Sequence, residues 1–252
     1  MESTLGIKLI QQAFDFWINP EIEKRRRAGR IPDSFSLYAA QVIMDLDGTA
    51  PEVRLNEEVK AVLKVRATRS IEKDEVVTEN GFDYIETIEL TDLDPNAAHL
   101  TMILHRGVWY LAFDFRYNAA RVSEHIKTAR EFLDCSLFSL GRGHLRAFVD
   151  TLFSATELMA KGFLLMLPDK TVLTGKSHGV ISSRYNQWRK LGNADPRYVE
   201  LLNRLSTLRY QARYLQKDLK LTVDEARNML TVAEEMFKAL CANAPKRVRV
   251  TP

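Results

Sequence analysis

The chain has 252 residues, of which 46% are hydrophobic and 27% are charged, a balance typical of a globular protein with a buried core. No run of 18 apolar residues occurs and the first residues lack the apolar block of a signal peptide, so we expect no membrane contact. Cys135 and Cys241 are far apart and lack the spacing of metal ligands. A disulfide scaffold is therefore not expected, and a cytoplasmic location is predicted.

The overall charge of +3 is divided unevenly along the chain. Residues 1–116 carry 14 basic and 20 acidic side chains, a net charge of −6, whereas residues 117–252 carry 22 and 13, a net charge of +9. A basic second half is suited to an anionic partner. The equally open alternative is that the two halves complement each other, or that the charges only solvate helices.

Two helices are predicted at the start of the chain. Apolar residues recur at three- and four-residue steps between Leu5 and Ile18, which indicates an amphipathic helix. The pair Asn19-Pro20 is expected to end this helix and to begin a second one, with proline in its first turn. The basic run Lys24-Arg25-Arg26-Arg27 favours a solvated last turn, with a nucleic-acid contact as the alternative.

From Phe35 onward the hydrophobic period becomes two, which predicts strands. The alternation is clear in 59–67 and is repeated in Tyr84–Leu90. Leu100–Leu104 and Val108–Phe115 follow, separated by a short turn that is typical of a hairpin. Because no helical crossovers lie between these runs, the sheet should be antiparallel.

The run Val42-Ile43-Met44-Asp45-Leu46-Asp47-Gly48-Thr49 resembles the first motif of haloacid-dehalogenase-like phosphatases. That family has alternating strands and helices, whereas hairpins are predicted to follow here, and no second acidic metal motif occurs downstream. Asp47-Gly48 is also an ordinary turn pair between two strands. The turn is the preferred interpretation.

Beyond Phe115 the pattern becomes helical throughout. Short loops join the predicted helices, which is typical of a bundle. The predicted fold class is therefore α+β: an antiparallel sheet with one or two helices in residues 1–116, then an all-α five-helix bundle in residues 117–252. The five helices are Tyr117–Leu140, Leu145–Leu167, the segment from Ile181 to Leu191, a fourth opened by Asp195-Pro196, and a fifth opened by the capping box Thr222-Val223-Asp224-Glu225.

Four segments of this half resemble, in their order and spacing, the HEPN domain family. Ser154–Leu164 is similar to the family's second-helix pattern of Ala, Glu and Lys that ends in a Leu-rich turn. His178 opens the next helix, Leu208–Tyr214 resembles an Arg-Tyr-bearing helix, and Thr222–Phe237 resembles the capped last helix. The resemblance covers about residues 117–240.

The resemblance implies a helical, often dimeric domain associated with RNA or nucleotides. Many members are endoribonucleases that use an arginine and a histidine with four to six residues between them. None of the five histidines of this chain follows an arginine at that spacing: Arg121 and His125 enclose three residues, and Arg142 and His144 enclose one. A non-nucleolytic member is therefore expected, with no catalytic residue, no cofactor and no metal ligand predicted.

The predicted function is a non-catalytic module that binds RNA or a nucleotide. The resemblance alone implies a setting in prokaryotic defence or toxin–antitoxin systems, and it also implies a homodimer through the helical half. One alternative is a protein–protein module that dimerises through Leu201–Leu215. Another is a divergent, metal-independent endoribonuclease that uses Arg209 or Arg213 with a residue other than histidine.

The candidate RNA- or nucleotide-binding residues belong to the third and fourth helices of the bundle. Arg209 and Arg213 flank the apolar face of their helix as a forked cationic pair suited to phosphate. Tyr214 and Trp188 offer stacking surfaces. The alternative is that the arginines bridge to an acidic residue of a neighbouring helix and the aromatic residues are core; His178 is interpreted as a helix-start residue. The full set is Arg184, Trp188, Arg209, Arg213, Tyr214 and Lys217.

Overall fold

The computed structural model describes residues 4–46, 49–174, 177–214 and 218–245. The chain divides into two compact units, Met1–Phe115 and Arg116–Pro252. Each unit has its own hydrophobic core. Within the described ranges, no helix is long and apolar enough to cross a membrane.

One continuous helical segment opens the first unit. It consists of α1 (Thr4–Ala13), a π-helical turn (Phe14–Ile18) and α2 (Asn19–Arg27). The predicted break at Asn19-Pro20 is wrong, because Ile18 and Asn19 both keep right-handed helical angles. Proline lacks an N–H, and its ring clashes with the carbonyl four residues back in an α-helix. The wider π turn, in which the Asn19 N–H bonds to the Phe14 oxygen, lets the helix continue through the proline.

Six strands follow in the described part of the first unit, and all of their pairings are antiparallel, as the sequence pattern predicts. Four form a sheet in the order β2-β1-β5-β6, and two form a separate ribbon, β3-β4. The short strand β2 was absent from the sequence prediction because four residues are too few to establish an alternation. The strands are β1 (Ala39–Met44), β2 (Glu52–Leu55), β3 (Ala61–Ala67), β4 (Phe82–Leu90), β5 (Ala98–His105) and β6 (Val108–Asp114).

The helical segment covers one face of the four-stranded sheet. Ala13 and Ile18 pack with Val42, Leu100 and Met102, and all five side chains are buried. These strand residues alternate along β1 and β5, so the period of two in the sequence marks the face that the helix covers.

The basic side chains of α2 form ion pairs with acidic residues. Arg25 donates from Nε to Glu21 at 2.8 Å and from Nη2 to the Val53 carbonyl at 2.7 Å, which joins α2 to β2. Lys24 and Arg27 pair with glutamates one turn earlier. These contacts favour the structural interpretation of the run.

The phosphatase-like motif begins in the last residues of β1 and continues beyond it. Its Asp47-Gly48 pair lies outside the described residues. The strand before it, β1, pairs antiparallel with both β2 and β5. The parallel sheet that supports such a motif is therefore missing from the described strands, and the phosphatase interpretation has no structural basis here.

The second unit is the predicted helical bundle. Its five helices of 13 or more residues are joined by short loops, and one further short helix lies between the second and third of them. The helices are α3 (Ala119–Gly141), α4 (Leu145–Leu165), α5 (Lys170–Thr174), α6 (His178–Lys190), α7 (Pro196–Tyr214) and α8 (Val223–Asn243).

Helix α4 lies at the centre of the bundle. Most of its apolar residues are buried in the core, and Leu152 and Met159 are fully buried. Gly162 permits α8 to approach closely, since a Cβ at that position would lie 3.1 Å from a methyl carbon of Leu240. Three charged residues of α4, Arg146, Asp150 and Glu157, contact the neighbouring helices α6 or α7.

The apolar face of α7 points into its own bundle. Leu201, Leu205 and Leu208 are buried in the core of the unit, and Leu215 lies outside the described residues. The described leucines of the hypothesised dimer seam are therefore not available to a second copy. Their role is to hold α7 against α4, which positions the next turn of α7 and its arginines.

The capping signal at Thr222 gives a direct prediction. Thr222 Oγ1 accepts a hydrogen bond from the Glu225 N–H at 3.2 Å and satisfies one of the open donors of α8. We expect Thr222→Ala to lower the free energy of unfolding by about 1 kcal/mol, measured by urea denaturation with far-UV circular dichroism. Thr231→Ala is the control, because its hydroxyl bonds back to the Arg227 carbonyl within α8 and alanine favours the helix. Equal losses in both variants would contradict a capping role.

Candidate functional site

A histidine, a carboxylate and a guanidinium form a row on one side of the bundle. His178, the first residue of α6, places Nδ1 against a carboxylate oxygen of Glu157 on α4. Its other ring nitrogen, Nε2, lies 3.3 Å from Nη1 of Arg209 on α7. Three helices therefore bring together an acid–base group, its orienting carboxylate and a cation.

The two partners of His178 define its tautomer. An ionised carboxylate only accepts hydrogen bonds, so Nδ1 carries the proton and donates to Glu157. A guanidinium only donates, so Nε2 holds a lone pair that accepts from Arg209. The Glu157 side chain is 14% exposed and that of His178 is 61% exposed, so the carboxylate holds the inner edge of a ring whose outer edge meets solvent. This is the arrangement of an imidazole that can accept a proton.

Asp150 of α4 holds both arginines of α7. Its Oδ1 accepts from Arg209 Nε at 2.9 Å, and its two oxygens accept from Nε and Nη2 of Arg213 at 2.8 and 3.0 Å. Partial burial acts to raise the pKa of Asp150, but the hydrogen bonds from Arg213 and Arg209 outweigh it and lower that pKa. The same pairing raises the pKa of Arg213. In the free protein, the Asp150 carboxylate is therefore the anion that lies between the two guanidinium groups.

Phe153 forms the floor of this cluster. The guanidinium of Arg209 lies over its ring at 4.5 Å from the centroid, and the His178 ring meets it edge-on at 5.6 Å. A cation over an aromatic face is held by the ring quadrupole. With the Arg209 side chain only 17% exposed, stacking and the Asp150 contact limit its movement before any ligand arrives.

Helical spacing explains why these side chains meet. Asp150, Phe153 and Glu157 are three and four residues apart, so they share one face of α4. Arg209 and Arg213 are four apart and share one face of α7. We call these residues and His178 the Arg–His cluster: Asp150, Phe153, Glu157, His178, Arg209 and Arg213.

A pocket of about 350 Å³ lies beside the Arg–His cluster. Phe153, Glu157 and His178 contribute to its wall, which is completed by residues of α6 and α7. The described residues contain no group of three His, Cys, Asp or Glu side chains placed to hold a metal ion. The cluster itself presents an imidazole, two carboxylates and two guanidinium groups.

The binding residues predicted from the sequence lie in different environments in the structure. Arg209 and Arg213 lie in the cluster. Arg184 donates to Thr171 Oγ1 at 3.1 Å and lies 3.7 Å from Asp169, while Trp188 packs at 6.0 Å from both the Phe163 and the Tyr185 rings. Tyr214 is exposed and lies 5.0 Å from the Tyr210 ring. Lys217 lies outside the described residues.

Sequence reasoning did not connect Asp150, Phe153 or His178 with the two arginines. A search for an arginine and a histidine close together in the chain could not find this pair, because Arg209 and His178 are 31 residues apart. One available signal was the charge pattern of α4, where Asp150 and Glu157 share a face of an otherwise apolar helix. The expected alternative, an arginine bridge to a neighbouring helix, is what the structure shows for both arginines.

The fold and the Arg–His cluster define a class of domain: a helical bundle with a histidine–arginine centre. The HEPN domain family profile matches residues 122–244. The resemblance expected for the C-terminal half is therefore confirmed over residues 122–244, and domains of this family are generally associated with RNA. No curated protein matches the chain at a significant level.

The pairing of Asp150 predicts a pH-dependent stability. Its folded-state pKa is lowered, so its contribution is present above its unfolded-state pKa of about 3.9 and is lost as the pH falls through the folded-state value. We expect Asp150→Asn to cost about 1–2 kcal/mol at pH 7, because charge-assisted hydrogen bonds are lost at a partly exposed position. The difference from the wild type should shrink below about pH 4.

Thermal unfolding of both proteins between pH 7 and pH 3 measures this difference. Asp134→Asn is the control, since Asp134 on α3 is 65% exposed and pairs with Arg130 one turn away on its own helix. A constant gap between Asp150→Asn and the wild type over the whole range would contradict the linkage.

Proposed function

We propose that the HEPN domain binds single-stranded RNA at Arg209 and Arg213 and cleaves it by transesterification, with His178 as the general base. The observation that carries this proposal is the position of His178 between Glu157 and Arg209. A histidine whose only role is to begin a helix does not need a carboxylate or a guanidinium beside its ring. A carboxylate behind the ring and a guanidinium in front of it match the needs of phosphodiester chemistry.

Each group has a role in the reaction. The ribose 2′-hydroxyl oxygen attacks the adjacent phosphorus, the O2′–P bond forms as the P–O5′ bond breaks, and a 2′,3′-cyclic phosphate results. The hydroxyl proton passes to Nε2 of His178, and the departing 5′-oxygen takes a proton from the resulting imidazolium. Glu157 stabilises that imidazolium through Nδ1, and Arg209 stabilises the charge that develops on the phosphoryl oxygens.

RNA binding rearranges contacts that already exist. In the free protein Nε2 of His178 accepts from Arg209, and Asp150 accepts from both arginines. A bound phosphate accepts from the guanidinium N–H groups in place of His178, and Nε2 then becomes accessible to the 2′-hydroxyl. The net charge of +9 on residues 117–252 favours the approach of a polyanion.

The test is a cleavage assay with end-labelled single-stranded RNA and the full chain in excess EDTA. We expect products that end in a 2′,3′-cyclic phosphate, and we expect no cut at a position carrying a single 2′-deoxynucleotide, because the nucleophile is missing there. Cleavage at the deoxy position, or cleavage that EDTA abolishes, would refute the proposed chemistry.

A non-catalytic RNA-binding module is the second candidate. The observation in its favour is the exposure of Arg213, at 50%, and of the aromatic ring of Tyr214 on the following position of α7. A phosphate contact and a stacking surface are sufficient for single-strand binding. Salt-sensitive binding of intact RNA without any cleaved product would select this candidate.

A further inference from the structure

The pocket beside the Arg–His cluster has a wall that the cleavage chemistry does not use. It lies between α4, α6 and α7, and its lining outside the cluster includes Leu202 and three serines, Ser182, Ser183 and Ser206. The three hydroxyls stand on two different helices, and Phe153 and Leu202 provide apolar surface. An apolar wall with a few hydroxyl groups is suited to a flat heterocycle with polar edges.

The size of the pocket limits what can enter. Its volume of about 350 Å³ is at the small end of the range of roughly 300–1,000 Å³ that ligand pockets cover. One nucleoside fits such a volume, whereas two stacked nucleotides or a base pair would not. The Ser182 hydroxyl donates to Asn203 Oδ1 at 3.4 Å. The hydroxyls of Ser183 and Ser206 can both donate and accept, so they can pair with the edge of a base or with a ribose hydroxyl.

The position of His178 defines the orientation of that nucleoside. His178 and Glu157 line the pocket and also belong to the cluster. A ribose in the pocket is adjacent to the imidazole, while the phosphate attached to its 3′-oxygen reaches toward Arg209. The nucleoside whose 2′-hydroxyl is the nucleophile is the one on the 5′ side of the cleaved bond.

We infer that this pocket is a subsite for the nucleoside that precedes the cleaved phosphate, so the domain recognises an unpaired nucleotide through its 3′-phosphate. The inference rests on the proposed function, since it takes its orientation from His178 and Arg209. An unpaired base is required because the pocket surrounds a single nucleoside, and a base held in a duplex cannot leave its stack without a cost.

The experiment is calorimetric titration of the full chain with inorganic phosphate, nucleoside 3′-monophosphates and nucleoside 5′-monophosphates. We expect at least one 3′-monophosphate to bind about tenfold or more tightly than phosphate, because the base adds its own contacts. The 5′-monophosphates should remain near the affinity of phosphate. The 2′-deoxy form of the preferred 3′-monophosphate should bind about three- to tenfold more weakly, because it lacks one hydrogen-bonding hydroxyl.

Two pocket variants and a matched control complete the test. Ser206→Leu and Ser183→Leu should each remove the gain of the 3′-monophosphate and leave phosphate binding unchanged, which also shows that the variants are folded. Thr207→Leu is the control, since Thr207 is the next exposed residue of α7 and is not part of the pocket wall. The Thr207→Leu protein should retain the full gain in affinity of the 3′-monophosphate over phosphate.

The outcomes separate this inference from the proposed function. If phosphate binds and Arg209→Ala abolishes that binding, but no 3′-monophosphate binds more tightly, the subsite is refuted while the phosphate site stands. A preference for the 5′-monophosphates also overturns it and indicates a free nucleotide as the ligand. If the 3′-monophosphates show the gain, and the serine variants lose it, in a protein that does not cut RNA, the subsite holds and the cleavage proposal fails.

Discussion

Replacing His178 with alanine is expected to slow RNA cleavage by about 10²–10⁴-fold, because the reaction loses the group that takes the 2′-hydroxyl proton. The affinity for RNA should stay close to that of the wild type, since Arg209 and Arg213 keep their contacts to Asp150. Single-turnover cleavage rates and the affinity for a non-cleavable, fully 2′-deoxy strand measure the two quantities separately.

The matched control for this variant is His125→Ala. His125 lies on α3, and its Nδ1 contacts the Arg121 carbonyl of the same helix. We expect wild-type cleavage from this protein. If both histidine variants cleave at the wild-type rate, His178 is not the base, and the interpretation of His178 as a helix-start residue regains support.

Arg209→Ala is expected to impair both binding and cleavage. Removing one preorganised donor from an anionic transition state costs about 10²–10³-fold in rate. The affinity for intact RNA should also fall, and the dependence of log affinity on log salt should weaken by about 0.7 for each phosphate of a single strand that the protein no longer neutralises. Arg209→Lys should restore little, because an ammonium lacks the planar fork that spans Asp150, His178 and a phosphate.

Arg197→Ala is the matched control for the arginine variant. Arg197 lies on the same helix and also pairs with carboxylates, at 2.9 Å from Asp195 and 2.7 Å from Glu235. It stands twelve residues before Arg209, which is about 18 Å along the helix axis. Equal losses in the two variants would show that RNA responds only to the overall positive charge of the domain.

Much of the fold could be predicted from the sequence because its signals are local. The period of two in β3 and β4 and the short turn between β5 and β6 identified strands, and the caps at Asp195 and Thr222 marked the starts of α7 and α8. The π turn before Pro20 could not be predicted, since a proline after an asparagine is normally a break. Strand β2 owes its place to its pairing with β1, and pairing is not a local property.

The candidate site was only half predictable for the same reason. Arg209 and Arg213 are visible as a pair on one helix, and a helical wheel places them beside the apolar face. Their partners lie on α4 and α6, between 31 and 63 residues away in the chain. Helical periodicity describes one helix at a time, so the meeting of Asp150, His178 and Arg209 became apparent only when the packing of three helices was known.

The division of the cluster among three helices has a consequence for how the protein is made. During synthesis α4 and α6 leave the ribosome before α7, so Asp150, Glu157 and His178 exist for a time without Arg209. A centre carried by a single helix would be complete as soon as that helix formed. Here a nascent or truncated chain that lacks α7 has no guanidinium beside its imidazole, and RNA near the translating ribosome meets the complete centre only after the bundle has closed.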